Sequence, residues 1–329
     1  MNSYTSISNK LAIRLFFIIN FFLLILTILL MFKLDDYMAQ KGYFILHKIS
    51  KAAHMREYTK QHQNDIIFIG YSKVQNHIST AIFEEENLSI YTYGIPAISF
   101  SDYPYMINKA IKTNPKKIVL NIHPTMLYGG WKLPRMQQPT FIDMLEQIKA
   151  TYLPAFPKNI LDIFPLKFYF DRYKLLFSHT SIKVKKEIEN LILTYKYNPD
   201  CKIFNYLGKK RILTVCTNGN GTVWYNKPTK KQNIIKLTKI NKAALDLLNY
   251  LLDEIKNHKI EVYILLETIN YHTTYDFNID EFYKNIHIEK NNIIDITHLK
   301  FKDEQWADNG HLNGKGKEKI SSFIINKLK

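Results

Sequence analysis

Five short apolar runs constrain this chain more than any other feature. They occupy 65–69, 88–95, 117–122, 261–266 and 292–296, and each is followed by a segment of helical spacing or a tight polar turn. Runs of this length suit strands: 88–95 alternates and ends at Gly94, whereas a run such as 65–69, without polar alternation, suits a strand covered on both faces. The intervening segments carry apolar residues at helical intervals. Ile78, Ala81 and Ile82 lie in 74–86, and Leu245, Leu248, Leu251, Leu252 and Ile255 lie in 240–256. Residues 102–113 and 282–286 also read as helical, and Ile320, Phe323, Ile324 and Leu328 lie in a last helix over 317–328. Strands alternating with helices predict a mostly parallel sheet with right-handed crossovers. The expected fold class is therefore a three-layer α/β/α domain with five strands, over 64–329.

Two regions fall outside that pattern. Residues 15–32 are almost wholly apolar, broken only by Asn20 and Thr27. Eighteen such residues suffice to cross a bilayer as a helix, and the exit Lys33-Leu-Asp-Asp-Tyr has no small-residue cleavage site. The reading is an uncleaved anchor over 1–34. A helical connector follows over 35–63, with Tyr43, Phe44, Leu46, Ile49 and Ala52 on one stripe; it would rest on the membrane or extend the anchor as a stalk. Lys10 and Arg14 before the span are balanced by Lys33, Lys41 and Lys48 after it, so charge does not orient it. The second region is an insertion over about 125–235. It contains expected helices at 141–149 and 182–195, a dense set of aromatics, and Asn218-Gly-Asn-Gly221 as the turn of a β-hairpin.

Formal net charge is +16, with basic residues scattered along the chain. Without an arginine-rich block or an interleaved aromatic platform, nucleic acid is not the expected partner. An anionic polymer or lipid headgroup fits the charge equally well. Cys201 and Cys216 lack metal-ligand spacing. No metal or cofactor is expected.

Chemistry gathers at the two ends of the sheet-forming region. The first run ends in Gly70-Tyr71-Ser72, which sets a serine just past the C-terminal end of a parallel strand, where open α/β sheets bind ligands. After the last strand comes Asp308-Asn-Gly-His311. A carboxylate three residues before a histidine can accept one ring N–H and fix the tautomer, leaving the other nitrogen to take a serine proton. The bland alternative is a helix-capping Ser72 and a turn-capping Asp308 beside a surface His311.

Together, Gly70-Tyr71-Ser72, Gly94 after the second strand, and Asp308-Asn-Gly-His311-Leu-Asn-x-x-Gly resemble the SGNH, or GDSL-type, hydrolase and acyltransferase superfamily over 65–329. That resemblance implies a flavodoxin-like sheet, Ser72 as nucleophile, His311 as base and Asp308 as its orienter. It also implies an oxyanion hole that includes the backbone N–H groups of Ser72 and Gly94. The family's third donor is an asparagine in a Gly-x-Asn-Asp motif after the third strand. This chain reads Asn121-Ile-His123-Pro124-Thr125 there, and Asn121 is expected to point within the strand rather than to substitute. The first motif also departs, with Tyr71 where the family has aspartate.

With a single span, the chain resembles the bacterial cell-envelope branch, similar to proteins of lipoteichoic-acid D-alanylation and alginate O-acetylation. The resemblance implies a single-pass protein of the cell membrane with its soluble domain outside. Its activity would be serine-dependent O-acyl esterase or transferase chemistry on an envelope polysaccharide or teichoic-acid-like polymer, beside a membrane-bound O-acyltransferase. The alternative is a non-catalytic component that keeps the fold to bind polymer or that partner.

Overall fold

The computed structural model describes residues 11–26, 29, 48–96, 98–128, 202–206, 211–215, 219, 221–224 and 233–329. Residues 11–26 form helix α1, with large apolar side chains exposed along its length. Among the described residues no helix is long and apolar enough to cross a membrane. The apolar run continues past α1 into residues outside the described set, where the helices expected at 141–149 and 182–195 and both cysteines also lie.

The remaining elements follow in order. They are α2 (Lys48–Gln61), β1 (Ile66–Tyr71), α3 (Ser72–His77), α4 (Thr80–Glu85), β2 (Ile90–Ile95), α5 (Tyr103–Ile111), β3 (Lys117–Ile122) and α6 (Pro124–Tyr128). Next come β4 (Lys202–Tyr206), β5 (Arg211–Val215), β6 (Gly221–Trp224), β7 (Asn233–Leu237) and α7 (Lys242–Asn257). The chain closes with β8 (Glu261–Leu266), β9 (Thr273–Phe277), α8 (Ile279–Asn285), β10 (Ile293–Asp295) and α9 (Gly314–Leu328).

Five strands make one sheet in the order β10-β8-β3-β1-β2, and every pairing is parallel. The chain leaves β1 towards β2 on one side and resumes with β3 on the other, so the direction of winding reverses between β1 and β3. Such a switch point opens a crevice at the C-terminal ends of the strands. Alternation along β1 feeds two apolar layers. Ile67 and Ile69 pack with Met55 of α2, Tyr103 and Ile107 of α5, and Leu248 and Leu252 of α7. Ile66 and Phe68 pack with Val74 of α3, Phe83 of α4, and Ile320 and Ile324 of α9. The expected three layers are thus present.

Several local expectations are corrected. The single helix expected over 74–86 is two, because Ile78 is extended and wholly buried. The Ser79 N–H donates to Ser321 Oγ (2.7 Å), which holds the break open from a distant part of the chain. The β5–β6 hairpin is present, but it belongs to a three-stranded antiparallel sheet with β4. A parallel pair, β7 with β9, was not anticipated either.

Helix α2 packs on this domain: Ala52 and Met55 are buried in the core. Lys51 is wholly buried as well. Its ammonium donates to Gly94 O (2.7 Å), Gly219 O (2.9 Å) and Gln75 Oε1 (3.4 Å), tying α2 and the hairpin tip to the edge strand β2. Lys317 of α9 donates to Gly221 O (2.6 Å) at the same tip. Gly219 has φ +81°, and a β-carbon there would stand 2.4 Å from Thr92 O, so this tip requires glycine.

Candidate active site

Ser72 is the first residue of α3, and Tyr71 before it is still extended, so the chain turns sharply from strand to helix at the serine. A β-carbon at Gly70 would lie 2.6 Å from Val74 Cγ2 and 2.8 Å from Asn121 Cβ, so only glycine lets the turn fold back against β3. Gly94 makes a second close approach. A β-carbon there would meet Gln75 N at 2.5 Å and Tyr71 O at 3.0 Å, so α3 is seated directly on β2.

The loop between β10 and α9 is built around Asp308. Its Oδ1 accepts the backbone N–H of Gly310 (2.7 Å) and of His311 (2.9 Å), closing a tight turn. The backbone N–H groups of Ala307 and Asp308 donate in return to His311 O (2.9 and 3.2 Å). Within this turn His311 Nδ1 lies 3.0 and 3.1 Å from the two Asp308 carboxylate oxygens. Its Nε2 lies 3.0 Å from Ser72 Oγ. Three residues chosen from opposite ends of the sequence therefore stand in hydrogen-bonded series. A carboxylate acceptor at Nδ1 sets the proton there, which leaves Nε2 able to receive the hydroxyl proton.

The other two expected site residues are placed differently. Gly94 is the fifth of six residues in β2, paired with Gly70, and its carbonyl accepts from Lys51. Asn121 is wholly buried in β3, and its amide nitrogen donates to Glu267 Oε2 (2.8 Å) and to Leu265 O (3.5 Å). Both amide hydrogens are thus directed along the sheet, as its position inside the strand implied.

A buried ionic cluster behind the series was not anticipated. Glu267 follows β8 directly, and His77 Nδ1 lies 2.5 Å from its Oε1. His77 Nε2 accepts the backbone N–H of Leu312 (3.2 Å). A nitrogen that accepts carries no proton, so His77 is neutral; burial pushes its pKa down in the same direction. Burial alone would raise the Glu267 carboxyl. The Lys73 charge, with hydrogen bonds from His77 and Asn121, outweighs it and holds the carboxyl below its usual range. Lys73 supplies the compensating charge 3.9 Å away and also donates to Ile269 O; burial draws it down to about 8, against the pull of Glu267. The chain of contacts Glu267–His77–Leu312 fixes the backbone one residue beyond His311. Its sequence signal was a lone carboxylate closing an apolar strand, Leu265-Leu-Glu267. Among the described residues no group of three His, Cys, Asp or Glu is placed to hold a metal ion.

Neither a protein-family model nor a curated protein matches this chain.

Proposed function

We propose that the protein is a serine-dependent O-acyl esterase or O-acyltransferase. The observation that carries the reading is the Ser72 Oγ–His311 Nε2 contact of 3.0 Å, made across 239 residues of sequence and backed by Asp308. In the reaction, His311 takes the Ser72 proton as Oγ bonds to the acyl carbon. The carbonyl electron pair moves onto oxygen. Collapse of that oxyanion expels the alcohol, which receives the proton from His311, and water or an acceptor hydroxyl then repeats the sequence on acyl-Ser72. The apolar run at 15–32 supports attachment to a membrane by one helix, and the resemblance to the cell-envelope branch supports an α/β domain outside the cell. The net charge of +16 supports an anionic envelope polymer as the acylated substrate, and the resemblance to the cell-envelope branch supports a membrane-bound O-acyltransferase as partner. The commitment of the Asn121 amide to Glu267 favours the second reading, a binding component without turnover.

Rapid-quench mass spectrometry of the full chain with p-nitrophenyl acetate separates the two. Acetyl-Ser72 in the wild type, missing in Ser72→Ala and His311→Ala, is the expected result. A folded wild type that never acquires the acetyl group contradicts it.

A further inference from the structure

We infer that the side chain of His123 donates a hydrogen bond from Nε2 to the oxyanion formed at Ser72. The inference rests on the reading of Ser72 as a nucleophile and names a substrate-contacting residue for that site.

Register places the two residues together. In the β1–β3 pairing, Ile66 lies opposite Lys117 and Ile69 opposite Leu120, a constant offset of 51 (117 − 66). The offset persists beyond the paired residues, since a β-carbon on Gly70 would meet Asn121 Cβ. Ser72 and His123 are the residues with which the chain leaves these two adjacent strands, whose backbones run about 4.8 Å apart. Both stand one step past the strand ends, at the switch point. Tyr71, between Gly70 and Ser72, packs its ring edge-on against His123 with centroids 6.2 Å apart.

The imidazole also stands edge-on to the Tyr275 ring, with centroids 4.6 Å apart, and its hydrogen bonds fix its tautomer. Thr125 donates its backbone N–H to Nδ1 (3.2 Å), so the proton resides on Nε2. Thr125 Oγ1 lies 2.7 Å from the same Nδ1. Burial, with the Lys73 charge nearby, lowers the ring pKa to about 3, so the imidazole is neutral. Nε2–H is therefore a buried donor, and it has no hydrogen-bond partner among the described residues. A donor left unpaired in the interior costs stability, so this N–H is available to a bound group that can accept from it. A neutral imidazole can stabilise an oxyanion by hydrogen bonding without transferring its proton.

The test is the second-order rate at which an alkyl fluorophosphonate labels Ser72 in the full detergent-solubilised chain. Ser72 Oγ bonds to phosphorus, fluoride leaves, and the hydroxyl proton passes to His311, while the phosphoryl oxygen takes the oxyanion position. Loss of one oxyanion donor costs about 100- to 1000-fold, so His123→Ala should slow labelling by that factor. His123→Gln, which keeps an N–H at the same reach, should recover most of it. Labelling of His123→Ala at the wild-type rate overturns the assignment. Nuclear magnetic resonance of the wild type serves if that variant does not fold. The His123 Nε2–H proton signal should move downfield on phosphonylation, and an unmoved signal overturns the inference. Failure of the wild type to label at Ser72 would sink the nucleophile itself, a result distinct from either outcome at His123.

Discussion

Substituting Gly94 by alanine tests how tightly the serine turn is seated. The new β-carbon would lie 2.5 Å from Gln75 N, whereas ordinary contact begins at 3.4 Å. One side must give by 0.9 Å (3.4 − 2.5). The opposing atoms are the backbone of α3 and of Tyr71, so relief comes from lifting α3 off β2. Ser72 opens that helix, and its 3.0 Å contact with His311 would stretch towards 3.9 Å, too long for a hydrogen bond. Loss of a positioned general base costs about 100- to 10,000-fold. Overpacking of this kind also costs about 1–3 kcal/mol of stability. The backbone N–H at residue 94 is retained, so the substitution isolates packing from any donor role. The assay is fluorophosphonate labelling of Ser72 with urea denaturation alongside. Labelling within about threefold of wild type by a protein of unchanged stability would refute the reasoning.

Three further outcomes follow from the buried cluster and from α2. His77→Ala removes the link between Glu267 and the Leu312 N–H and should cost about 2–3 kcal/mol by urea denaturation, with slower labelling at Ser72. The Glu267 carboxyl is held below an ordinary 4.5 in the folded chain, so the unfolded chain takes up the proton first as pH falls. Stability from this group is complete above about pH 4.5 and is lost progressively as pH falls below it. Denaturation midpoints of the wild type should therefore fall over that window, and Glu267→Gln should flatten the fall. A chain beginning at residue 62 lacks α2, with buried Lys51, Ala52 and Met55. It should be at least about 3 kcal/mol less stable than one beginning at residue 48.

The parallel sheet was legible because its strands are short apolar runs that no other element explains. Ser72, Asp308 and His311 were legible because strand ends and tight turns leave few places for such residues. What was hidden depends on contacts distant in sequence. The break after His77 is held by Ser321, 242 residues beyond Ser79. Glu267 is surrounded by Lys73, His77 and Asn121, which lie 146 or more residues earlier in the chain. Gly94 at a strand end reads as either a close approach of another backbone or a turn with positive φ. In the fold it is a point of contact between β2 and α3, and only the position of α3 reveals it. Lys51 falls in the connector expected over 35–63, and its three oxygen partners come from α3, β2 and the hairpin tip.

Peptide mapping of the fluorophosphonate-treated full chain bears most directly on the central claim. A single adduct on Ser72, absent from His311→Ala and strongly reduced in Asp308→Asn, is the predicted result. A folded chain with no adduct at Ser72, or an adduct that forms equally well without His311, would contradict it.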